Sequence, residues 1–216
     1  MDKKEVIRKV EKFVKKTMTH DPVHAWDHID RVRKLALYLA RKEKADKFIV
    51  ELAALLHDVG DYKYFKGAEN AGSKICRKLL GKLGVDRGIV NQVCEIVDEV
   101  TFKGARVKSK VRTVEGMVVR DADKLDNLGA IGIARTLTWG GLIKRTIHDP
   151  RIKPVMHATF EQYKKRGSTT INHFYEKVLL LKDQMHTSTA RKLALRRHRF
   201  VEKFLKEFYK EWDGKL

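Results

Sequence analysis

The sequence predicts an all-α fold, and three observations support that prediction. Apolar residues recur at three- and four-residue spacing along most of the 216 residues, which is typical of helices with one buried face. Alternating apolar and polar runs bounded by turns, the pattern of strands, do not occur. The apolar fraction is 43% with only 3 prolines, as in a compact globular protein. We expect a bundle of about eight helices, given typical helix lengths, with two long C-terminal helices packed on it.

A single domain covering 1–216 is the simplest organisation for a chain of this length, with a core over about 20–135 and a helical extension over about 159–216. Cys76 and Cys94 follow helical patterns without CxxC spacing, which predicts core or near-core thiols in a reducing compartment. No apolar run approaches the roughly 20 residues that span a bilayer, and no signal peptide begins the chain. We therefore expect a cytoplasmic protein.

The formal net charge is +19, from 47 Lys and Arg against 28 Asp and Glu. Such an excess favours anionic partners, namely nucleotides, nucleic acid or acidic lipid. The basic residues are spread along the whole chain, however, and dispersed charge is more typical of a solvated surface than of a binding stripe. The charge by itself therefore raises the expectation of a phosphorylated ligand only modestly.

Helical patterns follow one another through the first 127 residues. The first is an amphipathic helix over 2–19, and Pro22 closes it because proline disfavours helix at the residue before it. A second helix runs to a short connection at 41–46, and a third is followed by Gly60 as a stop signal. Further helices are predicted over 68–81, over 86–100, and over about 110–120 running on into an acidic stretch.

The last third of the chain is predicted to begin irregularly. Residues 138–158 hold Trp139-Gly140-Gly141 and two prolines, so this segment is either a functional loop or a plain connection. Two long helices then follow over 159–182 and 187–212. Their inward-facing residues are predicted to be Phe174, Val178 and Leu181 in the first, and Leu193, Phe200, Phe204 and Phe208 in the second.

Two histidines stand at opposite ends of adjacent buried faces. His28, four residues before Val32, opens the inward face of the second helix, whereas His57, followed by Asp58, closes that of the third. The two ends meet if the helices pack antiparallel across the 41–46 connection. Burying an unpartnered carboxylate is costly, so the pair needs a cation or an internal His–Asp hydrogen bond. The dipeptide leaves both solutions open.

Three carboxylates, those of Asp121, Asp123 and Asp126, fall within six residues of a continuous apolar pattern. Asp123 and Asp126 are three apart and share a helix face. Salt bridges to Arg120 and Lys124 explain one carboxylate comfortably and three poorly, since buried carboxylates need cations or donors. The apolar residues of the pattern are Val114, Met117 and Val118 before the carboxylates and Leu125, Leu128 and Ile131 after them.

In chain order, the metal-ligand candidates are His28, His57, Asp58 and Asp123, each at an end of an inward helical face. Two imidazoles and two carboxylates form a mixed nitrogen and oxygen set. Such a set suits a first-row divalent ion such as Mn²⁺, Fe²⁺, Co²⁺ or Zn²⁺ better than Ca²⁺. In an octahedral field, these ligands leave positions for water and substrate.

His28 in the pattern His-x-x-Arg-Val, the His57-Asp58 pair and Asp123 in Ala-Asp-Lys-Leu resemble the signature of the HD superfamily of metal-dependent phosphohydrolases. Further segments are similar to the bacterial YedJ/YpgQ-type branch of HD proteins, and this similarity covers most of the chain. These segments are His24-x-Trp26-x-His28, residues 55–63, Phe102-Lys103-Gly104, residues 121–126 and Asn172-His173-Phe174.

The resemblance implies one divalent cation held by His28, His57, Asp58 and Asp123, with Mn²⁺ expected first and Co²⁺, Fe²⁺, Mg²⁺, Zn²⁺ or Ni²⁺ as alternatives. It also implies hydrolysis of phosphate esters or anhydrides by metal-activated water. For this branch we expect a nucleoside triphosphate pyrophosphohydrolase, which releases a monophosphate and pyrophosphate. The expected partner is thus a small nucleotide, with nucleic acid as a less favoured alternative and no membrane, and the chain would act as a monomer or homodimer.

Residues around the ligands receive roles from the same resemblance. Asp61, three after Asp58, stands where some HD nucleotide hydrolases carry an acidic catalytic residue, and we expect it to orient the attacking water or relay its proton. His57 and Asp58 are counted with it as catalytic. Asp126, one turn beyond Asp123, is an alternative last ligand. The expected substrate contacts, whose lysines would clamp phosphate, are His24, Lys63, Lys66, Lys103, Lys124 and Asp126.

Two other functions stay open at this point. A phosphodiesterase for a cyclic nucleotide or an RNA end would keep the metal site and change the substrate. A non-enzymatic basic helical domain would bind nucleic acid and use the histidines structurally. The second alternative leaves the cluster of carboxylates unexplained in so basic a chain.

Overall fold

The computed structural model describes residues 2–18, 23, 25–60, 71–100, 111–155 and 167–215. Within those residues it contains nine α-helices, one 3₁₀-helix and no β-strand, which confirms the all-α prediction. They divide into two compact units, the first ending at Ala122 and the second beginning at Asp123. The single domain over 1–216 stays a prediction. None of the described helices combines the length and apolar character needed to cross a bilayer.

The helices of the first unit agree with the predicted ones to within a few residues at each end. Cys76 and Cys94 are free and buried, as predicted, and burial raises the pKa of both thiols. Helix α6 continues past Ala122 into the second unit. The bounds are α1 (Lys3–Thr17), α2 (Trp26–Glu43), α3 (Lys47–Leu56), α4 (Ala71–Lys82), α5 (Arg87–Val100) and α6 (Val114–Asp126).

Helix α3 is the centre of the first unit, where it packs against α1, α2 and α5. Every residue from Ile49 to Leu56 except Glu51 is buried. A helix that is apolar on all sides is stable only inside a core, so this composition explains its central place. Its first residues are held by the Asp46 side chain, which accepts hydrogen bonds from two backbone N–H groups.

One arginine ties the three N-terminal helices together. Arg33 of α2 donates to Glu51 of α3 at 2.8 Å and to Glu11 of α1 at 3.0 Å. The guanidinium is half-buried, and its planar fork can serve both carboxylates at once. This network orients α2 against α3, the two helices that carry the predicted histidines.

The second unit contains the end of α6 and the remaining helices. The last helix packs against α7 and against a 3₁₀-helix, and α8 also packs against both. The long final helix predicted over 187–212 is therefore confirmed. The bounds are α7 (Gly129–Leu142), α8 (Thr170–Glu176), the 3₁₀-helix (Val178–Gln184) and α9 (Ser188–Trp212).

The irregular segment predicted from residue 138 is wrong at its start, because residues 138–142 belong to α7. Gly140 is buried there, and a Cβ added to it would lie 2.3 Å from the hydroxyl oxygen of Thr170. Close packing against α8 thus outweighs the low helix propensity of glycine. The described part of the segment after Lys144 is irregular, as predicted.

The long helix predicted over 159–182 is also wrong in its described part. Residues 167–169 are not helical, and Lys177 (φ −141°) separates α8 from the 3₁₀-helix. The Thr169 side chain accepts a hydrogen bond from the N–H of Asn172 and so starts α8 afresh. Residues 159–166 lie outside the described part of the chain.

Three apolar residues assigned to inward faces are exposed instead, Val114 by 37%, Ile131 by 43% and Phe200 by 52%. In α9, the face that is buried carries the small residues Ala190 and Ala194 and lies beside the predicted face with its three phenylalanines. Small residues allow closer helix packing, which favours this face. The buried face that results is Ala190, Ala194, His198, Val201 and Leu205.

Buried polar side chains of α8 hold the irregular segment in place. Glu176 accepts hydrogen bonds from the N–H of Val155 at 3.1 Å and from the hydroxyl of Ser168 at 2.9 Å. The Asn172 amide donates to the carbonyl of Ile152 at 2.8 Å. These contacts satisfy a carboxylate that would otherwise be costly to bury.

His173 of α8 makes the stability of the chain dependent on pH. Burial, with Lys177 and Arg145 nearby, lowers the pKa of His173 from 6.5 to about 3. The unfolded chain therefore binds a proton at this side chain more readily than the folded chain does. The contribution of His173 to the free energy of unfolding is thus fully present above pH 6.5 and is lost as pH falls toward 3. We expect this group to lower the free energy of unfolding by about 1–2 kcal/mol between pH 7 and pH 5.

Urea unfolding at several pH values measures this loss. The His173→Gln variant cannot titrate and should show a correspondingly flatter dependence. Identical pH profiles of the variant and the wild type would contradict the assignment to His173.

Candidate metal centre

The start of α2 and the end of α3 meet, as the sequence predicted for an antiparallel pair. His28 lies in the first turn of α2, and His57 and Asp58 follow directly after Leu56, the last residue of α3. α2 and α3 pack against each other. Three potential metal-ligand atoms from these residues lie within 4.8 Å of one another.

The three atoms form a nearly equilateral triangle. The Nε2 atoms of His28 and His57 are 3.3 Å apart, and each lies 3.4 Å from Oδ2 of Asp58. Both imidazole side chains are 1% exposed, whereas the Asp58 side chain is 19% exposed. The triangle is therefore reached from solvent on the side of the carboxylate.

The tautomer of His57 is set by its own helix. Its Nδ1–H donates to the carbonyl oxygen of Ala54 at 2.8 Å, which leaves a lone pair on Nε2 of the neutral ring. A backbone carbonyl that holds the far nitrogen in this way is the usual support of a metal-binding imidazole. The rings of His28 and His57 meet edge to face, so both Nε2 atoms converge on Asp58.

A divalent cation fits this triangle. The circle through the three atoms has a radius of about 1.9 Å, slightly shorter than metal–nitrogen and metal–oxygen bonds of about 2.0–2.2 Å, so one ion can bond all three. Two imidazoles and a carboxylate suit first-row divalent ions. The alternative is a proton on Nε2 of His28 that bridges to the other two atoms. This arrangement needs no metal, but the lone pairs on Nε2 of His57 and Oδ2 of Asp58 then share a single hydrogen.

The fourth predicted ligand, Asp123, is half-buried on α6 and belongs to the second unit, so its role stays a prediction. Its alternative, Asp126, is 4% exposed, and its Oδ2 accepts a hydrogen bond from Nη1 of Arg135 at 2.8 Å. A buried carboxylate held by an arginine on α7 stabilises its own unit. Asp126 thus has a counter-charge within the second unit, and the choice between Asp123 and Asp126 as the last ligand stays a prediction.

Exchange of each aspartate for asparagine separates these roles. The Asp126→Asn variant should lower the free energy of unfolding by about 2–4 kcal/mol, because it removes the charge from a hydrogen bond of 2.8 Å to Arg135, and should keep full metal content. The Asp123→Asn variant should lose metal with a smaller loss of stability. Chemical denaturation and metal analysis of the purified chains measure both quantities. The reverse outcome would make Asp126 the ligand.

Lys124, predicted as a phosphate clamp, is 7% exposed. Its ammonium group donates to the carbonyl of Gln184 at 3.0 Å, at the end of the 3₁₀-helix. A cation at that end also complements the helix dipole. This contact gives the side chain a structural role, and its contact with phosphate stays a prediction.

Five predicted site residues lie outside the described part of the chain. They are Asp61, the proposed acidic catalytic residue, and the substrate contacts His24, Lys63, Lys66 and Lys103. Their roles stay predictions.

Sequence reasoning missed how closely the turn after Asp58 is packed. Gly60 lies against the start of α4, where an added Cβ would come within 2.1 Å of the backbone nitrogen of Gly72. Gly60 was interpreted only as a helix stop signal. The occurrence of a second glycine inside the first turn of α4 is the signal that could have suggested a close backbone contact.

The chain is similar to proteins of one known family. The family model described as the HD domain matches residues 25–128, a range that includes all four predicted ligands. The chain is 34% identical to YpgQ of Bacillus subtilis (strain 168) over 192 residues, which cover 88% of this chain and 85% of that protein.

Solved structures give the same result. A Bacillus thuringiensis structure described as an HD-superfamily hydrolase has 39% identity and a TM-score of 0.78, with 99% of this chain and 100% of that chain covered. The structure of Bacillus subtilis YpgQ in complex with ADP has 30% identity and a TM-score of 0.75, with 95% and 97% covered.

Proposed function

The chain belongs to the HD domain family, and from that premise we propose that it is a metal-dependent phosphohydrolase whose substrate is a nucleoside triphosphate. The observation that carries the proposal is the convergence of Nε2 of His28, Nε2 of His57 and Oδ2 of Asp58 at 3.3–3.4 Å. The crystal structure of the relative YpgQ with ADP supports a nucleotide as the ligand.

Four residues are proposed to hold the cation, namely His28, His57, Asp58 and Asp123. When bound, a divalent cation supplies Lewis-acid stabilisation of phosphoryl charge and a source of nucleophilic water near neutral pH. The carbonyl of Ala54 keeps His57 in the tautomer whose Nε2 can bind. The low exposure of both imidazoles excludes bulk water from two sides of the cluster and strengthens electrostatic interactions there.

The remaining proposed roles concern the nucleotide itself. Asp61 would accept a proton from the attacking water. Lys63, Lys66 and Lys103 would neutralise phosphate charge as it builds up. The proposed cut lies between the α- and β-phosphates, which gives a monophosphate and pyrophosphate.

Hydrolysis in ¹⁸O-labelled water tests both the reaction and the cut. The metal-stripped chain receives a panel of nucleoside triphosphates with added Mn²⁺, Co²⁺, Mg²⁺ or Zn²⁺, and the products are separated and identified by mass spectrometry. We expect pyrophosphate and a monophosphate, only with metal. The label shows which phosphorus water attacks, and we expect it on the monophosphate.

Orthophosphate as the product would move the cut to the terminal phosphate and refute the pyrophosphohydrolase. If no triphosphate gives a product with any of the metals, the proposal of a nucleoside triphosphate substrate is refuted. The metal content of the same preparation separates that failure from a failure of the metal site.

A further inference from the structure

The solvent face of α9 carries a continuous basic stripe. Its members are spaced three or four residues apart, so they lie along one side of the helix, and all are exposed. At 1.5 Å per residue the stripe is about 27 Å long. We call it the α9 stripe, and its residues are Lys192, Arg196, Arg199, Lys203, Lys206 and Lys210.

Packing holds this face outward. The opposite side of α9 is buried against the second unit through Ala194, Val201 and Leu205, each at most 3% exposed. The helix therefore cannot rotate to bury its charges. The stripe is a preformed surface, so a ligand would meet it without the cost of ordering the backbone.

Most basic side chains of the stripe lack an ion-pair partner among the residues that the structure describes. Lys210 pairs with Glu207 at 3.4 Å. The other five members form no ion pair with any residue that the structure describes. The exposed Glu202 and Glu207 flank the stripe and offset part of its charge, but two carboxylates against six cations leave it strongly positive.

We propose that the α9 stripe binds the phosphate backbone of single-stranded nucleic acid. Six cations along about 27 Å match a polyanion that carries regularly spaced charges, whereas a mononucleotide would cover only one end. Phe200, 52% exposed, flanks the stripe beside Arg199 and Lys203 and offers an aromatic face on which an unpaired base can stack.

An anionic membrane fits the surface less well. A helix that lies in a lipid interface embeds its apolar face. In α9 that face is already buried in the core, as Ala194 and Val201 at 0% exposure show. The proposal is separate from the proposed phosphohydrolase function and stands or falls without it.

Fluorescence anisotropy with a labelled single-stranded DNA of about 20 nucleotides tests the surface, at several salt concentrations and without added divalent metal. Full engagement of the stripe predicts a slope of log affinity against log salt of about −4. Exchange of Lys192, Lys203 and Lys206 for glutamine should reduce that slope by about 2 and the affinity about 50-fold near 0.15 M salt. Phe200→Ala should reduce affinity about 10-fold with the slope unchanged.

A matched control removes the same charge elsewhere. Exchange of Lys4, Lys12 and Lys16 of α1 for glutamine also takes away three exposed lysines, and it should leave the slope intact and the affinity within about threefold. Equal losses in the two triple variants would overturn the stripe as the binding surface. Absence of binding, or binding to phosphatidylserine vesicles but not to DNA, would overturn the nucleic-acid partner. A duplex bound more tightly than the single strand, with Phe200→Ala silent, would overturn the assignment to a single strand.

Discussion

Replacement of Asp58 by asparagine is expected to remove metal-dependent hydrolysis, lowering kcat/KM by about 10³-fold or more. Asparagine keeps the shape of the side chain but removes the negative charge at the position of Oδ2, which lies 3.4 Å from the Nε2 atoms of both His28 and His57. Even a mutation of a residue that only supports a metal ligand lowers metal affinity or activity by about 10–100-fold. Loss of the single carboxylate in this triangle should exceed that, and the metal content should fall with it.

Steady-state kinetics and metal analysis of the same preparations measure this prediction. The matched control is Asp30→Asn on α2, which changes charge equally. Asp30, whose side chain is 26% exposed, pairs with the exposed Lys34 at 2.6 Å, and such pairs contribute about 0.5 kcal/mol to the free energy of unfolding. The control should keep both metal and activity. Retention of metal and of kcat/KM within tenfold of the wild type in Asp58→Asn would refute the site.

Replacement of Gly60 by alanine is expected to lower the free energy of unfolding by about 3 kcal/mol and to reduce metal affinity at the same time. The added Cβ would lie 2.1 Å from the nitrogen and 2.3 Å from the Cα of Gly72. Both atoms belong to the backbone of α4, so the clash cannot be relieved by rotating a side chain. The turn that carries Asp58 must shift, and the spacing of the ligand atoms shifts with it.

Gly81 on α4 provides the control for this variant. An added Cβ there meets no atom within 4 Å, and the position is exposed in the helix. Gly81→Ala should therefore stabilise the chain by about 0.5–1 kcal/mol through higher helix propensity, without any change in metal binding. Thermal unfolding with and without added Mn²⁺ compares the two variants. Equal stability and equal metal-induced shifts in both would contradict the role given to Gly60.

The proximity of His28, His57 and Asp58 could be predicted before the fold was known. His28 and His57 end the buried faces of neighbouring helices, and a short connection makes such helices antiparallel. Periodicity and chain direction are local properties, and together they were sufficient to bring the three residues together. The central place of α3 follows in the same way from its apolar composition.

The competition between Asp123 and Asp126 could not be resolved from the sequence. Both lie on one face of α6, and the sequence offered salt bridges to Arg120 and Lys124 as the alternative to a bound cation. In the fold, Asp126 is paired with Arg135 of α7 instead. The choice depends on how a second helix packs, which the spacing within α6 does not encode.

The basic stripe of α9 also could not be predicted from the sequence. Lysines and arginines spread along the chain suggested a solvated surface, since composition does not tell which charges face the same way. Burial of Ala194 and Val201 places six basic residues of α9 in one exposed row. The exposure of Phe200, which was expected to be buried, is part of the same choice of face.

The sequence by itself determined the all-α class, most helix bounds and the proximity of His28 to His57 and Asp58. These depend on a period of 3.6 residues and on turn signals, which act over one or two helical turns. Tertiary structure alone decided the partner of Asp126, the packing of Gly60 and the outward face of α9. Each of these is decided by which surfaces of distant segments touch, and the free energy of that contact outweighs the small local preferences that the sequence displays.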